Sequence, residues 1–195
     1  MASVDGLYFY AWSNVAVPVA ADARRLDEVD LGTSYQIERG PLRVTPAFDL
    51  YLYRRSGRDL AAGRPPRTGE ASVSVAYGGG DTALVLQQVV DVVSYRGAYF
   101  AALGVTHRLV LSRHTDLGAA VSLGWASARY HQAYIEATRP GLGLLSARVS
   151  ATRRFRRGLS LTAHADVTTV PDAALRARLT RPTVVAAGLS VGVAR

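Results

Sequence analysis

From Leu159 to Val167 the chain alternates without a break. Leu159, Leu161, Ala163, Ala165 and Val167 fall on one side, and Ser160, Thr162, His164 and Asp166 on the other. A period of two puts successive side chains on opposite faces of a strand, so the stretch predicts a β-strand with one apolar and one polar face. The same pattern recurs over Leu145–Thr152, Leu117–Trp125, Val29–Glu38, Leu42–Leu52 and, more briefly, Ala71–Tyr77. Leu84–Val92 is less regular because Gln88 lands on the apolar row, and Tyr99–Leu111 requires His107 on that row. Leu7, Phe9 and Ala11 open the series, and Val185, Ala187, Leu189, Val191 and Val193 close it. The count is about ten strands, with eight and twelve as the neighbouring possibilities, and very little helix.

The joins between these strands are of two kinds. Arg39-Gly40-Pro41, Gly78-Gly79-Gly80-Asp81, Arg113-His114-Thr115-Asp116 and Phe155-Arg156-Arg157-Gly158 are tight-turn sequences,. Gly78-Gly79-Gly80-Asp81 is a turn and not a phosphate loop, since a strand rather than a helix follows it. The alternate joins, 15–28, 54–68, 130–143 and 171–181, are long, and only 94–96 is short,. Tight turns at one end and long loops at the other suit a transmembrane barrel, whereas a soluble sandwich has no reason to sort them. The expected fold is therefore all-β: a closed, antiparallel, up-and-down transmembrane β-barrel, with residues 1–195 as one domain.

Composition narrows the chemistry. The 195 residues are 49% hydrophobic and 19% charged, with a formal net charge of +8; all 23 basic residues are arginine, and cysteine is absent. Schiff-base chemistry, a P-loop lysine, thiolate nucleophiles and cysteine-ligated zinc are thereby excluded. Arg24 and Arg25, Arg54, Arg55 and Arg58, and Arg153 to Arg157 sit at breaks in the apolar pattern rather than in a stripe, so no nucleic acid is expected as a partner,. Uncharged stretches fall short of the roughly 18 residues that a spanning helix needs. Met1-Ala2-Ser3 leads into neither a basic nor an apolar leader, and a secretory signal is expected to have been removed,.

On the polar faces stand Arg43, Asp49, Asp91, Arg108, Arg148, His164 and Asp166, the expected lumen-lining charges, too many for a small dry core to bury,. Opposite charges among them are expected to pair across the lumen and occlude it. The small residues Gly118, Ala120, Ser122, Gly124 and Ala126 would accommodate bulky side chains from the opposite wall. Trp12, Tyr35, Tyr77, Tyr99 and Trp125 are the candidates for interfacial aromatic girdles,. His164 and Asp166 share a strand face, with Ser146 or Ser160 within conceivable reach, a constellation used by outer-membrane hydrolases. Any two polar residues at i and i+2 share a face, however, so a structural network is favoured and no catalytic residue is assigned. His107, His114, His131 and His164 have no metal-binding spacing, and neither metal nor cofactor is expected,.

The opening Gly6-Leu7-Tyr8-Phe9-Tyr10-Ala11-Trp12-Ser13-Asn14-Val15, followed by Glu28-Val29-Asp30-Leu31-Gly32-Thr33-Ser34-Tyr35, resembles the start of the TorF-like porin family of proteobacterial outer membranes. Gly97-Ala98-Tyr99-Phe100 fits the same pattern more loosely. The resemblance implies a bacterial outer-membrane β-barrel with the lipid bilayer, or detergent, as its partner and small solutes as cargo. Barrels of this kind generally end on an aromatic residue, whereas this sequence ends Gly192-Val193-Ala194-Arg195. The expected role is passive, that of a narrow porin or a filled barrel. Two alternatives are a soluble lipocalin-like ligand-binding barrel and, third, an outer-membrane hydrolase using His164 and Asp166.

Overall fold

The computed structural model describes residues 5–14, 28–53 and 65–193. They form ten antiparallel strands in one sheet, each hydrogen-bonded to the next in chain order. The strands are β1 (Asp5–Asn14), β2 (Glu28–Arg39), β3 (Leu42–Tyr53), β4 (Arg67–Gly79), β5 (Thr82–Asp91), β6 (Tyr99–Ser112), β7 (Thr115–Ala126), β8 (Gly141–Arg154), β9 (Leu159–Thr169) and β10 (Thr183–Val193). Among the described residues there are also two short α-helices, α1 (Ala128–Ile135) between β7 and β8 and α2 (Ala173–Arg176) between β9 and β10, and a 3-10 turn at Arg156–Gly158.

The tight turns gather at one end. Arg39 faces Leu42 across Gly40-Pro41, and Gly79 faces Thr82 across Gly80-Asp81. Gly40 and Gly80 have φ of 61° and 68°, a region that a Cβ crowds and glycine enters freely, which lets the chain reverse in two residues,. The longer connections, with α1 and α2, lie at the opposite end. Those over 15–27 and 54–64 are outside the described residues.

The alternation read from the sequence is carried into the sheet with an inverted exposure. Along β9 the apolar row from Leu159 to Val167 is exposed, while Ser160, Thr162, His164 and Asp166 are partly covered. Phe9, Val149 and Leu189 stand 77%, 61% and 74% exposed on the apolar face. The polar face is thus the sheltered one, the reverse of a water-soluble β-sandwich or barrel.

The sheet is open, a half-barrel. Among the described residues the ladder ends at β1 and β10, and no pairing joins the two, whereas the sequence pattern led us to expect closure. Each outer strand therefore carries one row of backbone N–H and C=O groups with no neighbouring strand.

The helices are the second departure. Ser127 caps α1, its Oγ accepting from the Tyr130 N–H at 3.2 Å and from the Tyr99 N–H at 3.0 Å, so the start of the helix is tied to the start of β6,. The β7–β8 register slips at Gly124/Trp125 just before it, and such a bulge bends a strand out of its plane,.

Candidate functional site

Directly paired residues share a face, so the register assigns every lining residue. Asp49 faces Glu70 and Glu70 faces Asp91; Arg108 faces Gly118, Gly118 faces Ser150, and Ser150 faces His164; Arg148 faces Asp166. Arg43 lies on the Asp49 row of β3,. All seven expected lining charges are therefore on the polar face, but their partners differ from those the sequence suggested.

At the loop end the acids are held by hydroxyls. Tyr10 donates to Asp49, and it passes over Gly32, where a Cβ would lie 2.1 Å from the ring. Glu70 accepts from Tyr51 at 3.1 Å and from Tyr134 of α1 at 2.9 Å. Asp91, 1% exposed, accepts from Thr68, from the Val93 N–H at 3.0 Å and from the Tyr95 N–H at 2.8 Å. Asp91 thus anchors the β5–β6 connection and is not open to a lumen, because a loop carrying free N–H groups next to a strand end recruits the nearest carboxylate. Glu28 and Asp30 lie on the same face of β2, and Asp30 Oδ1 is buried with no hydrogen-bond partner.

Aromatic rings close over this end. Tyr134 packs on Tyr130 with ring centroids 4.5 Å apart, Tyr130 on Phe100 at 5.6 Å, and Tyr95 on Tyr134 at 5.5 Å. Burial, then the Glu70 charge, pushes the Tyr130 phenol up to about 12 and raises that of Tyr134 as well,. Beside them His131 is buried, its Nδ1 2.7 Å from the Arg139 carbonyl oxygen. Asp172 caps α2, accepting from the Ala174 N–H at 2.9 Å and the Leu175 N–H at 3.2 Å, with Arg139 at 3.3 Å. The bond from Leu175 contributes most to holding its carboxyl below the usual range, with that from Ala174 and the Arg139 charge adding to it.

At the turn end the charges pair with one another, but between adjacent strands. Arg43 meets Glu38 at 2.6 Å, and Arg108 and Arg154 share the buried Asp116, Arg108 at 3.2 Å; farther along the strands Arg148 meets Asp166 in the same way. The expected pairing across the lumen gives way to these contacts, since a neighbouring strand roughly 4.8 Å away is reached before an opposite wall. Likewise the glycines of β7 receive adjacent side chains: Phe100 covers Gly124, where a Cβ would meet it at 2.6 Å, and Ser150 covers Gly118.

His164 Nε2 lies 3.6 Å from Asp166 Oδ2, and the same carboxylate is bonded by Arg148. The two serines considered beside it are engaged elsewhere, Ser146 with Ser122 at 2.7 Å and Ser160 with the Gly192 carbonyl at 3.4 Å. Four of the five girdle candidates, Tyr35, Tyr77, Tyr99 and Trp125, are on the apolar face, paired with Leu7, Leu42, Val90 and Ala101. Trp12 is not, because it faces Asp30 on the polar side, one residue beyond the apolar row of Leu7, Phe9 and Ala11. Gln88 is on the apolar face as read, and there it accepts from the Tyr99 hydroxyl at 3.2 Å. His107, on the same face, makes a 2.8 Å bond to Thr82. Among the described residues no three His, Asp or Glu side chains gather closely enough to hold a metal ion, and no helix is long and apolar enough to cross a membrane.

No known family's sequence profile matches the chain, and no curated protein matches it.

Proposed function

We propose that the chain is the wall of an outer-membrane β-barrel, closed by β1 against β10, whose role is passive: a narrow pore, or a barrel filled by its own side chains. The inverted exposure of the sheet carries this reading. An apolar face running over ten strands is far larger than the few hundred Å2 that a soluble monomer leaves exposed, and it needs lipid. Tight turns at one end and longer connections at the other follow the same plan. In a bilayer the free edges of β1 and β10 have no water to satisfy them, so closure follows from the same premise. A lipocalin-like barrel would need the opposite polarity, apolar residues facing its cavity. The N-terminal likeness to TorF-like porins is in keeping with the barrel reading.

The test is folding. The protein is expected to fold only in detergent or lipid and to change its gel mobility on boiling. A monodisperse, folded species in plain buffer would sink the proposal.

A further inference from the structure

The β7–β8 connection leaves its own hairpin and reaches across the polar face. Tyr134 of α1 donates to Glu70 of β4, and β5 and β6 lie between β4 and the helix's parent strand β7. Three inter-strand spacings of roughly 4.8 Å make this a span of about 14 Å. The helix is fixed at both ends: at its start by Ser127, bonded from Tyr99 at 3.0 Å, and at its far side by Glu70. Tyr130 on Phe100 and Tyr95 on Tyr134 fill the space beneath it.

Packing singles out the same place. Ala126, His131, Ala137 and Leu175 are 3% exposed or less, although most residues of the sheet are exposed or only partly covered. A loop that only decorated a rim would have no cause to bury a histidine and to send a tyrosine hydroxyl to a carboxylate three strands away. Glu70 itself is 9% exposed and receives a second hydroxyl, from Tyr51 of the adjacent strand β3, which fixes the acceptor before α1 arrives.

We infer that α1 is an internal strap that bars the loop end of the lumen, latched by Tyr134 on Glu70, and that it, rather than the ion pairs between adjacent strands, limits passage through the barrel. This inference rests on the barrel reading. The ion pairs join neighbouring strands along the wall, whereas α1 reaches from β7 over β6 and β5 to β4. Cutting the latch removes one hydroxyl–carboxylate bond and loosens the Tyr130–Tyr134 stack, so the helix can swing away from β4 while Ser127 still holds its start.

The experiment is single-channel recording in planar bilayers on the whole chain, with the gel-mobility shift as the check that each variant is folded. The parent should pass little current. Tyr134→Phe, which keeps the ring and loses the hydroxyl, should raise it several-fold, and replacing residues 128–137 by a glycine-serine run of equal length should raise it further. Glu70→Gln retains an acceptor for one hydroxyl and should have a smaller effect than Glu70→Ala. Arg148→Ala, which opens a mid-strand ion pair on the wall, should raise the current less than Tyr134→Phe does. Folded variants that all conduct as the parent does would overturn the strap and leave the barrel standing. A parent that is soluble without detergent would take both readings down together. A larger rise from Arg148→Ala than from Tyr134→Phe would return control of passage to the ion pairs.

Discussion

Two carboxylates with little exposure or none to spare have roles set by what donates to them. Asp91 accepts one hydroxyl and two backbone N–H groups, so Asp91→Ala orphans three donors at once. An unsatisfied buried donor costs about 1 to 3 kcal/mol, and because the loop can relax the expected loss is about 2 to 3 kcal/mol in total. Urea unfolding in detergent micelles reads it as a lower midpoint, and an unchanged midpoint would mean that water replaces the carboxylate. Asp172 is the pH-dependent one. Its carboxyl is held below the ordinary value of 3.8, so its contribution is present above that value and is lost as the pH falls through the lowered one,. Amide exchange at Leu175 should therefore accelerate only in that acid window, and Asp172→Asn, which keeps a cap but cannot ionise, should flatten the profile. Neither role is written in the sequence. Both depend on where Val93, Tyr95 and Leu175 turn their N–H groups, which no spacing rule specifies.

At the scale of the strand and the helix, legibility follows the period. Ten strands, their turns and the face of nearly every residue could be read because a two-residue alternation persists through each strand, and one wrong step would have moved a whole row to the other face. Trp12 lies near the end of β1, but its parity differs from that of Leu7 and Phe9, which puts it on the polar face opposite Asp30. Helix α1 was missed because eight residues are too few for a helical period to stand out; its one local signal is Ser127 as a cap ahead of Tyr130 and Tyr134, four apart,. The wall supplies a prediction at this scale. Val149, central on the apolar face of β8, should cost about 2 to 4 kcal/mol when changed to Arg if that face meets lipid, and Ser150→Arg on the polar face should cost less,. Reversed costs, read by the same urea titration, would mean the faces are exchanged. The helix supplies another. A phenol raised to about 12 stabilises the folded state fully below its ordinary 10.0, and the contribution is lost as the pH rises through 12,. Tyrosinate absorbance should thus rise in two stages, with Tyr130 and Tyr134 both in the later one, together with loss of the α1 packing; Tyr130→Phe should diminish the later stage without abolishing it.

For the molecule as a whole, the open edges decide what the sheet becomes in a membrane. An even strand count makes β1 and β10 antiparallel, so either the two edges of one chain or the β1 and β10 of two copies can form a regular ladder,. Closure within the chain needs no second molecule and leaves no edge. Two copies would have to meet at both seams and would enclose twenty strands, a wide aqueous channel. The adjacent-strand ion pairs and the strap of α1 fit the smaller enclosure, in which side chains from neighbouring strands already cover the small residues of β7. Because the chain lacks cysteine, the question can be put directly. A cysteine at Phe9, near the middle of β1, combined one at a time with cysteines along 185–191 of β10, should give one pair that oxidises readily within a single chain, at a position that reports the stagger of the seam. A bond appearing only between chains would favour the two-copy barrel. Failure of every pair in detergent-folded protein would mean that the edges remain apart and that closure is wrong.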